Sequence, residues 1–274
     1  MLFRSILEVN QNDYLMDSLE RYGMTQCRPS DIVLPSNVKL TKPPEEYRAT
    51  DNLRQEYQSK IGTLLYLSLG TRPDVHFAVT RLSRYNANPT QDHLNAVDHI
   101  FRYLNGSRSK TIRYNGKSNS GLIGYTDADW GADLDDRHST SGFIFFMADG
   151  PVSWKSQRQK TVALSSTEAE YMAMSEACRQ VIWHRIIIDE FGYGLDQPTP
   201  IAADNQGAIY ISNNPVHDRR TKHIDIRYNF IKEAIENGEI EVFFVRTNNQ
   251  LADIMTKALP AKRHMDLVQK IGLI

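Results

Sequence analysis

The chain has 274 residues, with 32 Lys and Arg against 33 Asp and Glu and a formal net charge of −1; at about 150 residues per domain, that length points to two domains. Hydrophobic residues at 41% and charged residues at 24% are ordinary globular proportions, which excludes a disordered tail, a collagen-like chain and a disulfide scaffold, and no apolar run reaches the roughly 18 residues of a membrane span. The two cysteines, Cys27 and Cys178, lie far apart with no second thiol nearby, which fits reduced thiols of an intracellular protein better than a zinc site or a secreted framework.

Helical periodicity dominates to about residue 106. Asn12 is placed to cap a helix with Tyr14, Leu15, Leu19 and Tyr22 on one stripe, closed by Gly23. Residues 27–50 carry Pro29, Pro35, Pro43 and Pro44 without periodicity and read as a long connection. A helix follows through Tyr57, Ile61, Leu64 and Leu65, another after Pro73 through Val79 and Leu82, and a third from a Thr90 cap through Leu94, Val97, Phe101 and Leu104 to Asn105-Gly106. Around them sit Arg72, Arg81, Arg84, Arg102, Arg108, Lys110 and Arg113. These either track a phosphate backbone or are solvated helix faces. Residues 1–120 hold 16 basic and 12 acidic side chains, a net of +4, whereas residues 121–274 hold 16 and 21, a net of −5. Such a split is a weak pointer to a half that holds a polyanion and a half that gathers carboxylates around a cation; chance scatter gives the same pattern.

From about residue 111 the period changes. Leu122–Asp127 reads as a strand ending in an acid, Gly142–Met147 as a second strand, and Asp149-Gly150-Pro151 as a turn into Val152-Ser153-Trp154. Thr161–Leu164 reads as another short strand. A long helix follows with Ala169, Met172, Ala173, Ala177, Val181 and Ile188 on one stripe. Pro200–Ala203 is a strand leading into a helix over about 205–211, a further helix covers about 224–236 with Gly238 as its stop, and Glu239–Arg246 is a last strand. Asn248-Asn249 then caps a terminal helix through Leu259. Strands first, then alternating helix and strand, imply an α/β mixed sheet with helices packed on it.

The chemistry points to acids at the ends of these elements: Asp127 closing the first strand, Glu170 at the start of the long helix, Asp204 at a strand-to-helix junction and Asp253 in the first turn of the terminal helix. Strand ends and adjoining helix N-termini of an open sheet share one edge. Carboxylates gathered there repel unless a cation joins them. Magnesium prefers oxygen ligands, and two such ions about 4 Å apart form the clamp used for in-line phosphodiester hydrolysis. Each acid also has a purely structural reading. Thr167–Glu170 fits a capping box, Asp204 an N-cap, Asp253 a helix-dipole partner and Asp127 a turn residue. Among the neighbours, Asp129 falls past the strand's end, and Glu168 is about 200° from Glu170 around a helix, so the two cannot serve one site.

The order of these acids resembles the ribonuclease H fold, and their wording resembles the copia-type retrotransposon Pol polyprotein. The carrying segments are Tyr125–Trp130, Arg137–Gly142, Ser165–Tyr171, Ala203–Ala208, Arg220–Tyr228 and Gln250–Lys257. Arg72–Val75, Asn88-Pro89-Thr90 and Tyr103–Gly106 resemble the stretch joining reverse transcriptase to ribonuclease H in the same polyprotein. The polymerase Tyr-x-Asp-Asp motif is absent, and Leu134-Asp135-Asp136 lacks its context.

The resemblance implies a five-stranded mixed sheet with flanking helices in a ribonuclease H domain at 116–262, preceded at 1–115 by a mainly helical thumb/connection remnant of reverse transcriptase and followed by a tail at 263–274. It implies that Asp127, Glu170, Asp204 and Asp253 hold two Mg²⁺ ions, replaceable by Mn²⁺, and cut the RNA strand of RNA–DNA hybrids, with no DNA synthesis. Ser165 to Thr167, Asn205 and Gln206 are placed for polar contacts to 2′-hydroxyls, and Lys155, Arg158 and Lys160 for phosphates. His217 and His223 receive no firm role. The other reading is a catalytically inactive or repurposed nucleic-acid-binding remnant. The expected partners are the hybrid and a polymerase domain supplied by another chain, with no membrane; the opening segment is too short and interrupted for a secretory signal. The expected place is intracellular and soluble, either in cytoplasmic particles or in the nucleus.

Overall fold

The computed structural model describes residues 5–35, 40–214 and 222–274, with the backbone alone over 222–228. Among them the chain forms two units, one of residues 5–114, 134–136 and 257–274, the other of 115–133 and 137–256. In chain order the first carries β1 (Ile6–Val9), α1 (Asn12–Arg21), α2 (Asp51–Gly70), α3 (His76–Ser83), α4 (Gln91–Gly106) and all but the last residue of β2 (Ile112–Asn115). The second carries β3 (Ile123–Ala128), β4 (Thr140–Met147), β5 (Gly150–Arg158), α5 (Ser166–Glu190), β6 (Thr199–Ala203), α6 (Gln206–Asn213), α7 (Lys222–Glu236) and β7 (Ile240–Phe244), after which α8 (Ala261–Lys270) belongs to the first unit again.

The helical unit is built on the expected stripes. Leu15 and Leu19 of α1, Tyr57, Ile61 and Leu64 of α2, Leu82 of α3, and Val97, Phe101 and Leu104 of α4 share one core. Thr50 and Thr90 cap α2 and α4 by accepting from the Leu53 and His93 amides. The long connection adds Val33, Leu34 and Leu40 to the same core. Three features depart from the expectations. The residue before α1 is Gln11 rather than Asn12, with no side-chain cap. β1 pairs with β2 in a two-stranded sheet; all four β1 residues are exposed, so no alternation announces it. The segment expected as a tail contains α8, whose His264, Leu267 and Val268 are buried, while Thr111 and Ile274 exchange backbone hydrogen bonds of 2.9 and 3.1 Å.

Arg72, grouped with the cations facing phosphate, lies instead inside this unit at 3% exposure. Its Nε and Nη2 donate to the two carboxylate oxygens of Asp74 at 2.9 and 2.7 Å, and Nη2 also donates to Ser107 Oγ at 2.7 Å. The Tyr103 hydroxyl donates to Asp74 Oδ2 at 2.7 Å.

In the second unit the strand order is β5-β4-β3-β6-β7. β4 is antiparallel to β3 and β5, and β6 is parallel to β3 and β7, so β4 alone runs against the other four. Ala148 and Asp149, both at positive φ of 54° and 66°, make the two-residue turn that right-twisted hairpin strands favour. Phe143 and Phe145 of β4, Tyr171, Met174, Cys178 and Val181 of α5, Ile201 of β6 and Ile231 of α7 form its core.

Thr161–Leu164 is not a strand. Val162 and Leu164 are 47% and 82% exposed, Ala163 between them is buried against Ala128 of β3 and Ala169 and Met172 of α5, and the Trp130 indole N–H holds the run by donating to the Ala163 carbonyl at 3.2 Å. The terminal α-helix through Leu259 is also absent. Short 3₁₀ turns at Thr247–Asn249 and Leu251–Met255 occupy its place, and α8 begins only after Pro260. No helix among the described residues is long and apolar enough to cross a membrane.

Candidate active site

The two central parallel strands set the geometry. β3 and β6 are registered at Tyr125↔Ala202, and continuing that register two residues puts Asp127 level with Asp204. Asp127 is the fifth residue of β3 and Asp204 directly follows β6, so both stand at the C-terminal edge of the sheet. Glu170 reaches the same edge from α5, one turn into the helix. Carboxylate oxygens of Asp127, Glu170 and Asp204 lie within 4.8 Å of one another. Asp127 and Glu170 are buried and Asp204 is half-buried.

Neighbouring side chains take the structural roles that the three acids were weighed for. Ser165, not Thr167, caps α5 by accepting from Glu168 N at 3.1 Å, while Glu168 reaches back to accept from Leu164 N at 2.7 Å. The start of α5 is therefore fixed by Ser165 and Glu168, not by Glu170. Asn205 Oδ1 caps α6 by accepting from Ala208 N at 2.9 Å, so Asp204 is not the cap. Asp129 Oδ1 accepts from Thr140 N at 2.9 Å and seals the end of the β3–β4 ladder.

Asp253 lies outside the group of three. It is buried in the 3₁₀ turn Leu251–Met255, and three residues hold that turn against the sheet. Gln250 Nε2 donates to Thr126 O at 2.9 Å while its Oε1 accepts from Ala252 N at 3.1 Å. The Thr256 hydroxyl donates to Asp127 Oδ2. Gly142, the ladder partner of Asp127, leaves room for the turn: a Cβ there would meet Met255 Cβ and Thr256 Cγ2 at 2.6 Å. All three lie in segments that carry the family resemblance, Arg137–Gly142 and Gln250–Lys257, but the sequence assigns none of them a role. The available signal was that Gln250 and Thr256 are polar residues flanking an apolar run around Asp253.

Thr167 and Asn205 meet at the same edge, with Thr167 Oγ1 3.5 Å from Asn205 Oδ1, and Gln206 is exposed beside them. Lys155 lies 3.8 Å from Glu176, and Lys160 is exposed. His217 and the His223 side chain lie outside the described residues. The donor set at the sheet edge is all carboxylate oxygen, which suits a hard divalent cation such as Mg²⁺ or Mn²⁺ and not a thiolate- or imidazole-seeking metal.

A five-stranded mixed sheet in which only the second strand is reversed, with acids at the ends of the central parallel pair and on the intervening helix, is a ribonuclease H-like α/β fold. No family model matches the sequence. The chain is 38% identical, over 98% of its length, to the retrovirus-related Pol polyprotein from transposon RE2 of Arabidopsis thaliana, covering 18% of that protein. It is 36% identical over 97% of its length to the corresponding polyprotein from transposon TNT 1-94 of Nicotiana tabacum, covering 20%. The chain belongs to the copia-type retrotransposon Pol polyproteins and spans about a fifth of the length of the curated relatives it matches. LC11-RNase H1, isolated from compost, covers 49% of this chain and 91% of its own at 14% identity and a TM-score of 0.39.

Proposed function

We propose that the sheet unit hydrolyses the RNA strand of RNA–DNA hybrids as the ribonuclease H part of a copia-type Pol polyprotein. The observation that carries this reading is the convergence of Asp127, Glu170 and Asp204 to within 4.8 Å at one sheet edge, while Glu168, Asn205 and Asp129 serve the local backbone. These three acids would hold the divalent metal, with Asp253 as a fourth ligand brought by its 3₁₀ turn. Bound Mg²⁺ supplies an activated water and a charge partner for the leaving oxygen. The chain's own polar groups select the substrate: Ser165 to Thr167, Asn205 and Gln206 line the edge where 2′-hydroxyls of an RNA strand would pass, a contact that DNA cannot offer. Lys155, Arg158 and Lys160 on and after β5 are the phosphate contacts. The helical unit is the thumb/connection part of reverse transcriptase, α8 included.

The test is cleavage of a labelled RNA–DNA hybrid with Mg²⁺ and separately Mn²⁺, using duplex RNA, duplex DNA and Asp127→Asn as controls. Cutting of the RNA strand alone, reduced by about 10³-fold in the variant, is expected, since a lost metal ligand removes several kcal/mol of transition-state stabilisation. Hybrid binding without cutting would instead identify a nucleic-acid-binding remnant.

A further inference from the structure

Thr256 carries no charge and coordinates nothing in the reading above, yet it touches both sides of the acidic edge. It is 1% exposed. Its hydroxyl donates to Asp127 Oδ2, and its amide donates to the Asp253 carbonyl at 3.2 Å. Its γ-methyl packs over Gly142, where a Cβ would approach it to 2.6 Å, and Gly142 is the ladder partner of Asp127. Side chain and main chain of one residue thus join the acid that ends β3 to the turn that carries Asp253.

We propose that Thr256 is a positioning residue for the metal centre: its hydroxyl fixes the orientation of the Asp127 carboxylate and registers the Asp253 turn against it. This rests on the metal-centre reading of the acidic edge. The physical need is clear. A carboxylate's terminal torsion is broad, and three like-charged groups within 4.8 Å push one another away from a common focus. A hydrogen bond to one oxygen locks the plane. A hydroxyl is suited to this because it donates without adding positive charge; a Lys or Arg at the same place would hold Asp127 equally well and cancel the negative potential that attracts a cation. Partners of this kind behind metal ligands are worth about 10–100-fold in metal affinity. Gly142 belongs to the same device, since any side chain there displaces the turn and carries the Thr256 hydroxyl away from Asp127.

The experiment is calorimetric titration of Mn²⁺ into the metal-free full chain and its variants Thr256→Val, Thr256→Ala and Thr256→Ser, each with its metal-free melting temperature. Thr256→Val and Thr256→Ala are expected to weaken Mn²⁺ binding by about 10–100-fold, and Thr256→Ser, which keeps the donor, to bind close to wild type. A purely structural threonine gives a different pattern, with melting temperatures that fall and Mn²⁺ affinities that do not; that result overturns the proposal, as does full affinity in both Val and Ala. Should Val not fold, the Ala and Ser pair decides in the same way. Wild type that binds no Mn²⁺ sinks the metal-centre reading and this role with it, whereas wild type that binds while all variants bind equally sinks this role alone.

Discussion

In the helical unit the buried Asp74 faces the Arg72 guanidinium across hydrogen bonds of 2.9 and 2.7 Å, whereas in the sheet unit the buried Asp127 and Glu170 face each other and Asp204. Burial pushes the Asp74 carboxyl up, but the Arg72 charge outweighs it and holds the group below its usual value. That carboxylate is neutralised within its own unit, with Tyr103 as a further donor, and it serves cohesion. The sheet-unit acids bring like-charged groups within 4.8 Å of one another, an arrangement that the proposed divalent cation would balance. On the metal-centre reading proposed above, the two sites have opposite purposes, and substitution separates them.

The largest expected contrast comes from removing one charge at each place. Asp74→Asn leaves Arg72 buried beside a neutral group and is expected to cost about 3–5 kcal/mol. Asp127→Asn removes one of several like charges while keeping an acceptor for Thr256, so metal-free stability is expected to hold or rise. Urea unfolding reads both, because Trp130, Trp154 and Trp183 all lie in the sheet unit and their fluorescence follows that unit, while circular dichroism follows both. If Asp127→Asn destabilises the metal-free protein as much as Asp74→Asn does, the contrast fails.

Acid sharpens it further. Burial lowers the pKa of His76 to about 4 and lowers those of His93, His99 and His264 in the helical unit; His184, lowered to about 4 by burial, is the sheet-unit counterpart among the described residues. A neutral buried histidine with a depressed pKa contributes stability in full above the unfolded value near 6.5. That stability is lost as pH falls toward the folded pKa, because the unfolded chain binds the proton first. The slope is about 1 kcal/mol per pH unit for a single fully buried group. Lowering the pH from 7 to 5 is therefore expected to bring the circular dichroism transition below the tryptophan transition. Coincident transitions at pH 5 would show that the histidines do not distinguish the units.

The parts of the molecule that could be read from sequence are those where a local pattern meets a local cause. Leu15 and Leu19, Tyr57 and Ile61, and Val97 and Phe101 recur at helical spacing because one face is buried, and Gly238 ends α7 at a φ of 68°. Asp127 and Asp204 were visible as acids at strand ends, and β6 runs into α6 as expected. The features that escaped depend on contacts across the chain. Arg72 looked like one more surface cation until Asp74, Tyr103 and Ser107 surrounded it. Thr161–Leu164 has the composition of a strand but pairs with neither edge strand of the sheet, β5 or β7. Gln250 bonds Thr126 across 124 positions and Thr256 bonds Asp127 across 129; no window of sequence contains both partners, so the turn that carries Asp253 passed for a helix.

The smallest expected effect compares two helix caps of the same chemistry. Thr90 caps α4 in the helical unit and Ser165 caps α5 in the sheet unit, each accepting from the amide three residues on. Replacing either with Ala is expected to cost about 1 kcal/mol of stability, so the melting temperatures of the two variants should fall by similar amounts. Their metal responses should differ. Glu170 lies one turn beyond Ser165 on α5, and Glu168 pins the same start by accepting from Leu164 N, so fraying this end lets Glu170 swing away from Asp127 and Asp204. Ser165→Ala should therefore weaken Mn²⁺ binding a few-fold, by less than loss of the Thr256 hydroxyl, while Thr90→Ala leaves it unchanged. If both variants bind Mn²⁺ like wild type, the first turn of α5 does not set the position of Glu170 and the sheet edge is held by β3 and β6 alone. If both weaken it equally, metal binding follows general stability, and the distinction between a unit built for cohesion and a unit built for a ligand loses its footing.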